Sequence, residues 1–156
     1  MHVKIEFVES DHPDLLNLVK ELDTFFVERY GETIQKYHKY HDMDSMACAA
    51  VAYTEGQPVG CCCWRAIDAV TAEIKRMFVK PEFRKHSIAA RLVKELEAHA
   101  AASGCHRAVI ETYADMFEAI TAYERMGYTR CASFGEFTND RNIVCMEKEI
   151  SDGTMR

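Results

Sequence analysis

No stretch of the sequence approaches the eighteen or so apolar residues that a membrane-crossing helix needs. Nor do the first residues, Met1-His2-Val3-Lys4, carry the basic and apolar blocks of a secretory leader. Both absences point to a cytoplasmic protein with no membrane partner. Net positive charge is lacking too. The 25 acidic and 19 basic side chains leave a formal charge of −6, which excludes a general electrostatic affinity for nucleic acid or anionic lipid. There is no internal repeat, linker or low-complexity tract. One compact domain over residues 1–150 is therefore expected, followed by a frayed polar tail over 151–156.

A disulfide framework is missing as well, because seven cysteines are an odd number and no leader precedes them. Three are consecutive, Cys61, Cys62 and Cys63. Neighbours on a strand face opposite sides of the sheet, so three in a row do not converge on one ion. Each reads better as a small buried hydrophobe. His38 and His41 stand three apart in a polar segment, but no third ligand sits at a defined spacing, and no metal is expected.

What is present is a run of alternating periodicities. Residues 3–8 alternate as a strand. A helix follows, capped by Ser10 or Asp11, with Pro13 in its first turn, Leu15, Leu18, Val19, Leu22 and Phe26 at helical spacing, and Gly31 at its end. A second, more polar helix is expected over about 32–41. Strands over 46–54 and 59–67 flank the turn residues Glu55-Gly56-Gln57-Pro58, and a third strand over 71–79 stops at Pro81. Residues 87–103 carry the clearest helical pattern, with Ile88, Leu92, Val93 and Leu96 on one face and Gly104 beyond it. A strand over 107–112, a helix over 117–126 and closing strands near 128–134 and 142–150 complete the chain. Antiparallel strands followed by helical crossovers imply an α/β fold: a mixed, mainly antiparallel central sheet with helices on both faces.

The chemistry concentrates in residues 72–92. A buried strand leads into a basic turn, Arg84-Lys85-His86-Ser87, that opens the helix. The first N–H groups of a helix lack intrahelical partners and the positive end of its dipole lies there, so such a turn suits phosphate. Lys80, Arg84, Lys85, Arg91 and Lys94 gather around it in an otherwise acidic chain.

Strand, Pro81, Arg84-x-x-Ser87-x-Ala89 and an amphipathic helix together resemble the acyl-CoA signature of the GNAT superfamily of N-acetyltransferases. A second motif agrees: the strand Ala108-Val109-Ile110-Glu111-Thr112, then a helix ending Tyr123-Glu124-Arg125-Met126-Gly127-Tyr128. The resemblance implies a GNAT-like fold over residues 3–150 and acetyl-CoA (or CoA) as co-substrate. It implies that the backbone of Met77, Phe78 and Val79 pairs with the pantetheine arm, and that the turn Arg84, Lys85, His86, Ser87, Ile88 and Ala89 holds the pyrophosphate. It places Tyr123 beside the thioester sulfur, and it implies closing strands of the kind that support homodimers. The sequence departs from the family where glycine is usual, at Lys85 and Ser87, and where Asn or Gln is usual, at Met116.

Acetyl transfer to an amine needs a base, because a free alkyl amine has a pKa of about 10. Glu73 on the strand beside the donor is the candidate, with Glu111 as rival and a water chain as a further route. Tyr123 is the candidate acid for the departing thiolate, although its spacing from Ile120 equally suits the buried face of a helix. Backbone N–H groups near Met77 and Phe78 would stabilise the oxyanion. The implied reaction is transfer from acetyl-CoA to a primary amine of a small molecule or peptide, by direct attack in a ternary complex. The alternative is a non-catalytic acyl-CoA-binding sensor or interaction module. Segments 30–41 and 134–142 would line the acceptor pocket, and Arg65, Lys75 and Arg76 would suit a carboxylate-bearing acceptor unless they pair within the protein.

Overall fold

The computed structural model describes residues 1–31, 43–134 and 140–151. The helix expected over 32–41 (His38 and His41 included), most of the 134–142 segment and the tail from residue 152 lie outside them. Among the described residues a mixed sheet of seven strands, ordered β1-β2-β3-β4-β5-β7-β6, is accompanied by three helices. The described residues divide into two compact units, those within Met1–Arg65 and Ile74–Leu96, and those within Ala66–Glu73 and Glu97–Arg156.

The first unit begins with β1 (Lys4–Val8) and α1 (Pro13–Tyr30). Leu15, Leu18, Val19 and Leu22 form the buried stripe of α1. The cap of this helix is His12 rather than Ser10 or Asp11: its Nδ1 accepts from the Asp14 N–H at 3.1 Å. The other end stops as expected at Gly31, whose left-handed φ of 68° lets its N–H return to the Val27 carbonyl.

β2 (Cys48–Thr54) and β3 (Gln57–Ala66) form a hairpin around Glu55 and Gly56, both left-handed at φ 50° and 77°. Two such residues match the right-handed twist of the flanking strands. Alternation then sorts the side chains. Ala49 and Val51 of β2 and Cys61 and Cys63 of β3 face α1 and share its core, together with Phe78. Gly60 faces the other way. A Cβ there would meet the Phe78 carbonyl at 3.0 Å and Leu92 Cδ1 at 3.3 Å, so α2 (Ile88–Ala102) lies tight against this position. Helices thus cover both faces of β3. Burying Leu92 completely contributes about 2–3 kcal/mol.

In the second unit β5 (Arg107–Tyr113) pairs antiparallel with β7 (Ile143–Glu149), from Arg107↔Glu149 to Tyr113↔Ile143. β6 is shorter than its pattern suggests, only Thr129–Arg130, and it follows α3 (Phe117–Arg125). Its first neighbour, Tyr128, is buried and donates its hydroxyl to Glu97 Oε2 at 2.7 Å, while Lys148 Nζ takes Glu97 Oε1 at 3.0 Å. Both oxygens of this buried carboxylate are therefore satisfied. No helix of the described residues is long and apolar enough to cross a membrane.

Candidate active site

β4 (Thr71–Val79) is buried along its length except at half-buried Met77, and it carries a defect. Arg76 sits in mid-strand with φ 58°, a left-handed backbone that costs a non-glycine residue about 1–2 kcal/mol. Its guanidinium is only 2% exposed and holds the conformation. Nη2 donates to Asp23 Oδ1 at 2.6 Å and to the Val19 carbonyl at 3.4 Å, both on α1. The Arg76 carbonyl accepts the Cys61 thiol at 3.3 Å. Nε and Nη1 are buried with no hydrogen-bond partner among the described residues. Arg76, which the sequence offers as an acceptor anchor, is thus engaged by Asp23. Two consecutive cations, Lys75 and Arg76, inside a buried strand are the one signal of an irregular backbone here, since regular alternation would put one of them on each packed face.

Beyond β4 the Lys80 N–H reaches back to the Val59 carbonyl at 2.9 Å and a short 3-10 turn, Pro81–Phe83, follows. Two of the five cations expected to crowd the turn serve the fold instead. Lys80 lies 3.7 Å from Glu21. Arg84 folds back, its Nε donating to the Val79 carbonyl at 2.9 Å and its guanidinium 5.9 Å from the centre of the Phe78 ring. Arg84 therefore closes the end of β4 with its side chain.

Lys85, His86 and Ser87 are exposed, Ile88 is buried and Ala89 half-buried. Lys85 and Ser87 have φ 68° and 63°. These are the two positions where the resemblance leads one to expect glycine, and the backbone there keeps the conformation that glycine adopts freely. The Ser87 carbonyl accepts the Arg91 N–H at 3.1 Å, which makes Ser87 the N-cap of α2. Left-handed residues just ahead of a helix turn successive N–H groups into a concave nest, to which the first turn of the helix adds its own unpaired donors. Concavities of that kind suit anions in general. Its strain is measurable. Ser87→Gly should be about 2 kcal/mol more stable than Ser87→Val, because valine is poorly tolerated at positive φ. Urea unfolding of the two variants checks this, and equal midpoints would show that the turn relaxes.

The candidate base and acid belong to the second unit. Glu73 is 2% exposed, and its rival Glu111 is half-buried directly opposite Cys145 in the β5–β7 register. The Cys145 thiol is held above its ordinary pKa, first by burial, then by the charges of Glu111 and Glu73, against hydrogen bonds from the Phe134 N–H and the Ser133 hydroxyl. Both carboxylates therefore lie near one sulfur, a convergence that no sequence spacing announces. Tyr123 is 8% exposed, its ring 6.2 Å from that of Tyr128 at an interplanar angle of 64°. It is a core aromatic by burial, as its helical spacing allows.

A strand, a nest at a helix start and a Tyr-x-x-x-Gly-aromatic helix end are joined by a direct comparison. The model of the Acetyltransferase (GNAT) family matches residues 13–128, from the start of α1 to Tyr128. The chain belongs to the GNAT acetyltransferase family. A relative from Azospirillum brasilense, named IAA acetyltransferase, is 30% identical over 144 residues, covering 87% of this chain and 90% of its own. Among solved structures, the PaiA N-acetyltransferase of Thermoplasma acidophilum in complex with coenzyme A superposes with a TM-score of 0.72 at 18% identity, covering 96% of this chain and 99% of that one. A GNAT acetyltransferase of Elizabethkingia anophelis with acetyl-CoA bound gives 0.68 at 17% identity, covering 95% and 98%. These two likenesses establish the GNAT fold. Within this GNAT chain the sequence motifs locate the turn and Tyr123, but they miss the strained Arg76 and the grouping of Glu73 and Glu111 about Cys145.

Proposed function

We propose that the protein transfers the acetyl group of acetyl-CoA to a primary amine of a small molecule or peptide, by direct attack in a ternary complex. The observation that carries this reading is the left-handed pair Lys85 and Ser87 ahead of α2, a glycine-like backbone kept without glycine. A strained turn persists where it has a task, and here the task is to present N–H groups to the pyrophosphate. Met77, Phe78 and Val79 offer backbone groups to the pantetheine arm, and the N–H groups beside the left-handed Arg76 polarise the thioester carbonyl.

The amine nitrogen forms its bond to the acetyl carbon as the carbon–sulfur bond breaks. Glu73, directly or through water, takes the proton the amine loses, and Tyr123 gives one to the thiolate. Glu73→Gln should lower kcat by about 10²-fold at neutral pH and flatten the acidic limb of the pH–rate profile, if the carboxylate is the base. An unchanged profile would move the role to Glu111 or to water. The whole reading is tested by calorimetry with CoA and by thiol release from acetyl-CoA over a panel of amines. Heat without thiol release from any amine would favour a sensor, and no heat with CoA would remove the reading.

A further inference from the structure

The pairing of β6 with β7 brings together two cysteines fourteen residues apart. The register Thr129↔Glu147 and Arg130↔Met146 places Cys131 opposite Cys145 at the next step, and the Cys131 N–H donates to the Cys145 carbonyl at 2.9 Å. Residues so opposed share a face of the sheet, with Cα atoms about 5.5 Å apart. That separation lies in the range of about 4.4–6.8 Å that disulfides span. Every other cysteine of the sheet faces a different residue type: Cys48 faces Trp64, Cys61 faces Val51, Cys62 faces Ala50 and Cys63 faces Ala49.

The two sulfurs differ in access and company. Cys131 is half-buried, and Arg107 Nη2 lies 4.0 Å from its sulfur while Arg107 Nε holds Glu147 at 2.7 Å. Cys145 is buried opposite Glu111 and feels the charge of Glu73, with the Ser133 hydroxyl and Phe134 N–H on its sulfur. We propose that Cys131 and Cys145 form a reversible, peroxide-sensitive disulfide beside the two candidate bases. Cys131, the more accessible thiol, attacks a peroxide oxygen and becomes a sulfenic acid with loss of water. The Cys145 sulfur then attacks that sulfur and displaces a second water. Two thiols and one hydrogen peroxide give one disulfide and two waters.

Bond formation draws the Cys145 sulfur toward β6 and away from Glu111 on β5, on the other side of β7. The consequence for turnover rests on the acetyl-transfer reading; the bond itself does not. Burial holds both thiols above their ordinary pKa, so less thiolate is present at neutral pH and oxidation should quicken as pH rises.

The test treats the protein of residues 1–156 with a small excess of hydrogen peroxide, alkylates it under denaturing conditions and measures intact mass. The expected result is loss of two of seven alkylatable thiols, a peptide linking Cys131 to Cys145 and full reversal by dithiothreitol. The rate should be several-fold higher at pH 9 than at pH 7. Cys131→Ser, at the more exposed position, should abolish the two-thiol step even if Cys145→Ser fails to fold. Mono-oxygen adducts without a cross-link, or a bridge between other cysteines, would overturn the proposal. If amine acetylation is also measured, oxidation should lower wild-type turnover at least tenfold and leave Cys131→Ser unaffected. Turnover that survives complete cross-linking would remove the link to the bases while leaving the bond itself intact.

Discussion

Tyr123→Phe is expected to lower kcat by about 10²–10³-fold while leaving the affinity for CoA within twofold. Phenylalanine fills the same volume on the buried face of α3 and keeps the edge-on packing against Tyr128, so only the hydroxyl is lost. A buried hydroxyl of this kind contributes about 1 kcal/mol to stability, too little to unfold a domain of ordinary stability. Steady-state kinetics with calorimetry in parallel measure the two effects. A second substrate separates acid catalysis from packing. An acetyl ester of an aryl thiol releases a stable thiolate that needs no proton, so the variant should recover most of its deficit on that substrate. Equal impairment on both thioesters would mean that Tyr123 serves only the core.

Asp23→Ala carries the largest expected loss of stability, about 3 kcal/mol. The carboxylate itself is 42% exposed, and an exposed pair contributes little. Its partner decides the outcome. The Arg76 guanidinium is 2% exposed and already has two nitrogens without hydrogen bonds, so removing Asp23 leaves a buried cation held by one long contact to the Val19 carbonyl. Asp23→Ala combined with Arg76→Met should regain much of the loss, because an apolar side chain of similar volume avoids the buried charge. Urea unfolding of the single and double variants forms the cycle. A double variant no more stable than Asp23→Ala would show that the ion pair is not the source. Since Arg76 precedes Met77, Asp23→Ala should also raise the KM for acetyl-CoA more than it lowers kcat.

These predictions join two levels of description that the residues reveal unequally. β4 and α2 end within a residue or so of where their periodicities place them, because an apolar stripe and a Pro or Gly stop are properties of neighbouring residues. The cap of α1 is different. Ser10 and Asp11 are the better cap types, yet His12 takes the Asp14 N–H. β6 keeps two residues of a longer strand pattern, since the chain beyond Cys131 turns Ser133 and Phe134 toward the Cys145 sulfur. Lys85 and Ser87 read as a departure from the family, and their side chains are one, but their backbone is not.

The sequence by itself determined the order of the described strands and helices, the position of the turn that opens α2 and the Tyr123 helix end, all of which follow from periodicity, stops and short motifs. Only the tertiary structure decided which charges are consumed, which backbone is left-handed and which side chains meet. Arg76 finds Asp23 across 53 positions, and Cys145 meets Glu111 through strand register. Strain and buried charge are settled by partners distant in the chain, and local spacing carries no record of them.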